Sequence, residues 1–442
     1  MKGMALSELG RRLRDGGLSA VELAAEARAA DTHGAYVYVD EERTRRQAAA
    51  ADAAFAAGVD LGPLQGIPVS VKDLYGVPGF PTAAGSPRSL PEAWEQAGPV
   101  VGAALSQLAV VTGKTHTVEF AFGGLGTNPH HPTPRNPASP GVPRAPGGSS
   151  AGAGVSLAEG SAALAFGTDT AGSVRIPAAW TGQAGLKTTK GRWSTDGIVP
   201  LSTTLDTAGI LAPSVTDLRV AFSALDPHGP VDGGEVALAG LRIGRSDDLV
   251  WEGCSPGVVE AVDAALEVLG RAGARVVPAA LPEVTPAYAL FNLGGPVATE
   301  LYQFLSGELP GWLEGLDPNV RARLAGAGEL PAHEYLRRLR EMARLAASAA
   351  ERLRAVDVLV TPTVANTPPT LDAIATPETY KAENVLCLRN TGVVSYLGLC
   401  AVTVPAGVDA AGMPVGMQLV GRPMSEGRLL AIAAAVERAL LG

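Results

Sequence analysis

Residues 123–154, GGLGTNPHHPTPRNPASPGVPRAPGGSSAGAG, decide how the chain is divided. The stretch breaks every helical and strand periodicity, and its Gly, Pro and Ser content alone reads as a linker between two domains. The competing reading is a long ordered loop within one domain, because structureless connections above about 12–15 residues are usually functional or disordered. Composition does not choose between them. Downstream, AGVSLAEGSAALAFGTDTAGSVRIPAAWTGQAGLK (153–187) carries a second glycine-punctuated turn between apolar runs suited to packed elements. Upstream, GPVVGAALSQLAVVTGK (98–114) reads as a helix running into a short strand, the rhythm of an α/β fold. Further out, LGPLQGIPVSVKD (61–73) is a short β-rich run ending in Lys72 and Asp73.

The remainder keeps this rhythm. The first 57 residues read as helical, with Leu6, Leu9 and Leu13 at helix spacing and Ser19 as an N-cap before AVELAAEARAA. LAGLRIGRSDD (238–248) reads as a strand, SPGVVEAVDAALEVLGRAG (255–273) as a helix, ARVVPAAL (274–281) as a strand, and 333–363 as a long helix feeding another strand. A chain of 442 residues holds one large core or two to three domains at about 150 residues each. With 46 % hydrophobic and 18 % charged residues it should fold, and a net charge of −9 gives no broad attraction to nucleic acid or anionic membranes. A small or neutral substrate fits better. Cys254, Cys387 and Cys400 are too scattered for a disulfide framework and read as small core residues. The start, MKGMALSELGRRLRDG, lacks the apolar run of a signal peptide, and no segment of about 18 apolar residues occurs, so a cytoplasmic enzyme is expected.

The available chemistry narrows by elimination. GKT at Gly113 lacks the glycine five residues earlier that a phosphate loop needs, because Leu108 stands there. None of the histidines at 33, 116, 130, 131, 228 and 333 forms a metal-ligand spacing, so no metal or other cofactor is expected. Gly148-Ser149-Ser150-Ala151-Gly152 matches GxSxG with Ser150 as an esterase nucleophile, but PGVPRAPG precedes it where a nucleophile elbow needs a buried strand. What remains is a lysine at a strand end and two serines in glycine turns. A buried lysine loses its charge more readily and can then activate a serine. Taken singly, Lys72 also reads as a surface partner of Asp73, and Ser149 and Ser173 as turn formers.

Together these stretches resemble the amidase signature family: GIPVSVKD (66–73), PGGSSAGAG (146–154) and GTDTAGSVRIPAAWTGQAGLK (167–187) occur in its order and spacing. TPRNP (133–137) and GIVPLSTTLD (197–206) extend the match, which continues weakly through DVLVTPT and PVGMQLVG. The resemblance implies one α/β domain over residues 1–442, with a mixed sheet covered by helices on both faces. Within it, 1–60 would be wrapping helices, 61–215 the signature core and 216–442 the substrate-shaping part. It also implies that Ser173 attacks an amide carbonyl while Ser149, on a non-proline cis peptide, relays protons to Lys72, and that water then releases the acid. Backbone N–H groups of Thr170, Ala171, Gly172 and Ser173 would form the oxyanion hole. Asp169 and Arg175 would hold that turn, and Ser150 would orient Lys72 or the loop. A relay between fixed groups needs a fixed loop, which reverses the linker reading of 123–154.

Ala171, Thr188 and Lys190 depart from the family pattern and bear on pocket shape. The expected substrate is a small-molecule amide, with no nucleic acid or membrane bound directly and a homodimer compatible with the reading. One branch of the family is the glutamine-hydrolysing subunit of a tRNA-dependent amidotransferase, which carries an acidic residue where Leu388 stands here. That branch is the main alternative, and a partner-dependent subunit or an esterase using Ser150 are the others.

Overall fold

The computed structural model describes residues 1–229, 234–246 and 248–442. Among them, eleven strands join in one sheet: β1 Tyr36–Tyr38, β2 Pro68–Lys72, β3 Val110–Thr115, β4 Leu164–Asp169, β5 Ala184–Lys187, β6 Thr207–Ala212, β7 Arg242–Arg245, β8 Arg275–Pro278, β9 Val358–Pro362, β10 Cys400–Val408 and β11 Pro414–Gly421. Their order is β1-β3-β2-β4-β6-β5-β10-β11-β9-β7-β8. β2 pairs in parallel with β3 and β4, as β7 does with β8 and β9, while the strands between these groups and the β1 edge are antiparallel. The fold is the mixed α/β sheet expected.

Parallel neighbours need crossover connections, usually helical. Helix Pro99–Ser106 leads from β2 to β3, and Ala151–Glu159 leads from β3 to β4. The sheet is apolar on both sides, and β4 shows why it must be. Ala165 joins Ala153, Leu157, Val174 and Ala178 on one face, while Leu164 and Phe166 join the main core on the other. Alternation of side chains along a strand makes that division automatic. Helices therefore cover both faces, with Ala151–Glu159 and Arg175–Thr181 on the first.

Ser19 caps helix Ala20–Ala30 through a capping box with Glu22, and Leu6, Leu9 and Leu13 are buried as their spacing predicts. The wholly helical reading of the first 57 residues is corrected at β1, three residues too short to show alternation. The strand expected at 238–248 is confined to β7, and Asp247 lies outside the described residues. The stretch 123–154 is held throughout, so the linker reading fails. Gly148 N–H donates to Gly124 O at 2.7 Å and Ala145 N–H to Pro369 O at 2.9 Å. Asn136 Nδ2 donates to Ala145 O and Trp180 O. Cys387 and Cys400 are buried thiols and Cys254 is half-buried. No described helix is long and apolar enough to cross a membrane.

Candidate active site

The carboxyl ends of β2 and β4 lie side by side, because the strands are parallel and Val71 pairs with Phe166. Lys72 ends β2 and Asp169 ends β4, so the crevice above these ends is where an α/β sheet offers a site. Lys72 is fully buried. Its Nζ lies 2.7 Å from Ser149 Oγ and 2.7 Å from Thr168 Oγ1. Burial pulls the Lys72 pKa down to about 7, against the opposing charges of Asp206 and Asp169. The surface pairing of Lys72 with Asp73 is overturned: Asp73 is buried as well and turns to Lys114, whose Nζ is 3.3 Å from its Oδ1. Asp73 also accepts from the N–H groups of Ala83 and Gly85.

Ser149 follows a cis peptide after Gly148. Ser150 is the N-cap residue of helix Ala151–Glu159, and among the described residues no hydrogen bond joins it to Lys72. Its N–H donates to Ser173 O at 3.3 Å and its hydroxyl to Thr168 O at 3.4 Å, so it ties the two serine turns together. Among the described residues no strand runs into Ser150, as an esterase elbow would need. No hydrogen bond joins Ser149 Oγ to Ser173 Oγ among the described residues. Catalytic contacts are often long before substrate binds.

The turn after β4 is shaped by Asp169. Its Oδ1 accepts from Gly172 N–H at 2.7 Å, and its Oδ2 from Val174 N–H at 3.2 Å. The Gly172 N–H is therefore spent inside the protein and drops from the expected oxyanion set, leaving Thr170, Ala171 and Ser173. Gly172 has φ +136°, and a Cβ there would stand 2.1 Å from Thr391 Oγ1. Only glycine fits. Arg175 grips Asp169 by two bonds, Nε to Oδ2 at 2.9 Å and Nη2 to Oδ1 at 2.7 Å. Its other donors reach Thr391 O, Gln418 Oε1 and Ser395 Oγ. With both side chains fully enclosed, a solvated ion pair is excluded. Thr170 Oγ1 donates to Asp206 Oδ1 at 2.5 Å, anchoring the start of the turn.

Thr170, Ala171 and Ser173 line a cavity of about 550 Å3 together with residues of the C-terminal half, including Phe291, Arg323, Asn384, Leu388 and Tyr396. Sequence reading found no motif there and missed these residues, Leu388 excepted. Thr168 was also missed, since a threonine within an apolar strand reads only as a good strand former. Among the described residues no group of three or more His, Cys, Asp or Glu is placed to hold a metal ion.

Residues 21–430 match the profile of the amidase family, and the chain belongs to that family. It is 51 % identical to 2-amino-5-chloromuconic acid deaminase of Comamonas testosteroni, over 99 % of this chain and 96 % of the relative. It is 32 % identical to a glutamyl-tRNA(Gln) amidotransferase subunit from Chloroflexus aurantiacus, over 91 % of this chain and 89 % of that one. Among solved structures, a crystal structure of an amidase superposes with a TM-score of 0.87 at 31 % identity, covering 98 % of this chain and 99 % of that one. The protein is accordingly an enzyme, a hydrolase of carbon–nitrogen bonds other than peptide bonds, acting on small-molecule amides.

Proposed function

We propose that Ser173 is the nucleophile of this hydrolysis, with Ser149 and Lys72 as its proton relay. The observation that carries the reading is the fully buried Lys72, 2.7 Å from Ser149 Oγ and brought to about pKa 7, beside a cavity that Ser173 lines. Ser173 Oγ adds to the amide carbonyl while its proton passes through Ser149 Oγ to neutral Lys72. The carbonyl oxygen becomes an oxyanion facing the backbone N–H groups of Thr170, Ala171 and Ser173. Collapse breaks the C–N bond, the relay returns the proton to the leaving nitrogen, and ammonia departs. Water then attacks the acyl-serine through the same relay and frees the acid. No cofactor enters this scheme. Residues 61–215 supply the reacting groups and 216–442 the wall against the acyl chain. A cytoplasmic chain, alone or as a homodimer, suffices for it.

The deaminase relative favours a second reading, removal of an amino group from a small unsaturated amino acid at the same site. The amidotransferase reading has less support, because Leu388 presents hydrocarbon to the cavity where that branch has an acid. Ammonia release from a panel of primary amides, glutamine and 2-aminomuconate by the lone chain separates the three. Ser173→Ala should lower amide turnover by about a thousandfold or more, whereas Ser150→Ala should keep appreciable activity. Full activity in Ser173→Ala would sink the proposal.

A further inference from the structure

The cavity that Ser173 lines carries two further polar groups that the C–N chemistry leaves unused. Arg323 ends helix Pro318–Arg323 and lines the cavity. Its guanidinium lies over the Phe122 ring, 3.9 Å from the centroid, and one donor, Nη1, reaches Phe122 O at 3.0 Å. No carboxylate lies within ion-pair distance of it among the described residues. Arg175, by contrast, has every direction filled. Burial pulls the Arg323 pKa below its ordinary value. A guanidinium with donors to spare, facing an opening and lacking an acid, is suited to a planar anion.

The second group is Asn384, on helix Pro377–Tyr396 and only 3 % exposed. Its Oδ1 accepts Gly124 N–H at 2.7 Å. Only the oxygen of a carboxamide can accept that bond, so the orientation is fixed and Nδ2, with no protein partner among the described residues, is what remains for the cavity. One turn further along the same helix, Leu388 gives the wall an apolar patch. Glu378 and Lys381 line the mouth, both exposed and opposite in charge.

We infer that the acyl chain of the substrate ends in a carboxylate, held by Arg323 and by Asn384 Nδ2, and that it carries no ammonium group against Leu388. The substrate class is then a monoamide of a small dicarboxylic acid. The inference rests on the reading of Ser173 as the nucleophile, because it places the amide at one end of the cavity and the carboxylate at the other.

Succinamate and glutaramate, compared with the isosteric neutral diamides succinamide and glutaramide, test it. For at least one chain length the wild-type kcat/KM should favour the acid about tenfold or more. Arg323→Gln should bring that ratio to about one. Asn384→Asp keeps the acceptor for Gly124 N–H but replaces the donor by an anion, and should carry the ratio below one. Equal use of acid and diamide by the wild type, or a ratio unmoved in Arg323→Gln, would overturn the inference. Calorimetric binding of succinate and glutarate gives a readout without turnover. At least one should bind the wild type, about tenfold more tightly than it binds Arg323→Gln, and binding of neither would also overturn the inference. Failure of the nucleophile reading looks different, since Ser173→Ala would then still hydrolyse the diamides while dicarboxylate binding stayed intact.

Discussion

Burial holds the Lys72 ammonium near pH 7 while Asp73, next to it in sequence, turns away to Lys114. Consecutive side chains at a strand end point to opposite sides, so the nearest acid cannot lock Lys72 in its charged form. In the proposed relay only neutral Lys72 accepts a proton. As pH falls through about 7, Lys72 gains its proton and kcat/KM should fall, reaching its plateau above that value. Burial also pushes the Glu119 carboxyl up to about 7, so the inflection should survive in Glu119→Gln if it belongs to Lys72. Lys72→Arg keeps a cation that cannot deprotonate, and should cost about a hundredfold to ten-thousandfold in amide turnover. Near-wild-type rates in that variant, or loss of the inflection in Glu119→Gln, would assign the base elsewhere. The linkage to stability has a definite sign. Lys72 has its pKa lowered from 10.5 in the folded chain, so between about 7 and 10.5 the unfolded chain binds more protons and this group's contribution to stability rises with pH.

The turn from β4 into helix Arg175–Thr181 is built around Asp169. Burial works to raise the Asp169 pKa, yet Arg175 holds the carboxyl below its usual range. Arg175 also spans to Thr391 and Ser395 of helix Pro377–Tyr396 and to Gln418 of β11. It thereby locks the reacting turn to the half of the chain that supplies the cavity wall. Arg175→Met should leave Asp169 a buried charge without its partner and cost about 3–5 kcal/mol. Denaturant midpoints would measure the loss, and a change under about 1 kcal/mol would show that the pair adds little net stability. The signature turns were legible because glycines and serines at fixed spacing have few other uses. Helix Pro377–Tyr396 was not, since every residue from Cys387 to Tyr396 is buried. A helix enclosed on all sides has no polar stripe to give its period away. Arg323 and Asn384 were equally unreadable, because only folding sets them against one cavity.

On the scale of the whole molecule, the N-terminal helices belong to the same core as the site. Leu6, Leu9 and Leu13 pack into the main cluster with strand residues of the sheet. Leu6 N–H donates to Asp217 Oδ1 at 2.7 Å, and β1 adds an edge strand to β3. The N–H groups of Thr32 and His33 donate to Glu159 Oε2 at 3.0 and 2.9 Å. Glu159 ends the helix that begins just after Ser149 and Ser150, so the N-terminal segment braces the element carrying the proposed relay. The βα rhythm suggested one α/β unit, whereas the composition of 123–154 suggested two. The hydrogen bonds of that loop decide for one, and a linker reading failed because glycine and proline serve a constrained turn as readily as a slack one. With residues 1–60 sharing the core of the sheet, the chain should unfold as one unit. Leu9→Ala removes a fully buried side chain and should cost about 2–5 kcal/mol. In that variant, thermal loss of near-ultraviolet dichroism and loss of ammonia release should move down together by the same number of degrees. A separate early transition that left the hydrolysis intact would show that residues 1–60 fold apart from the site they are placed to brace.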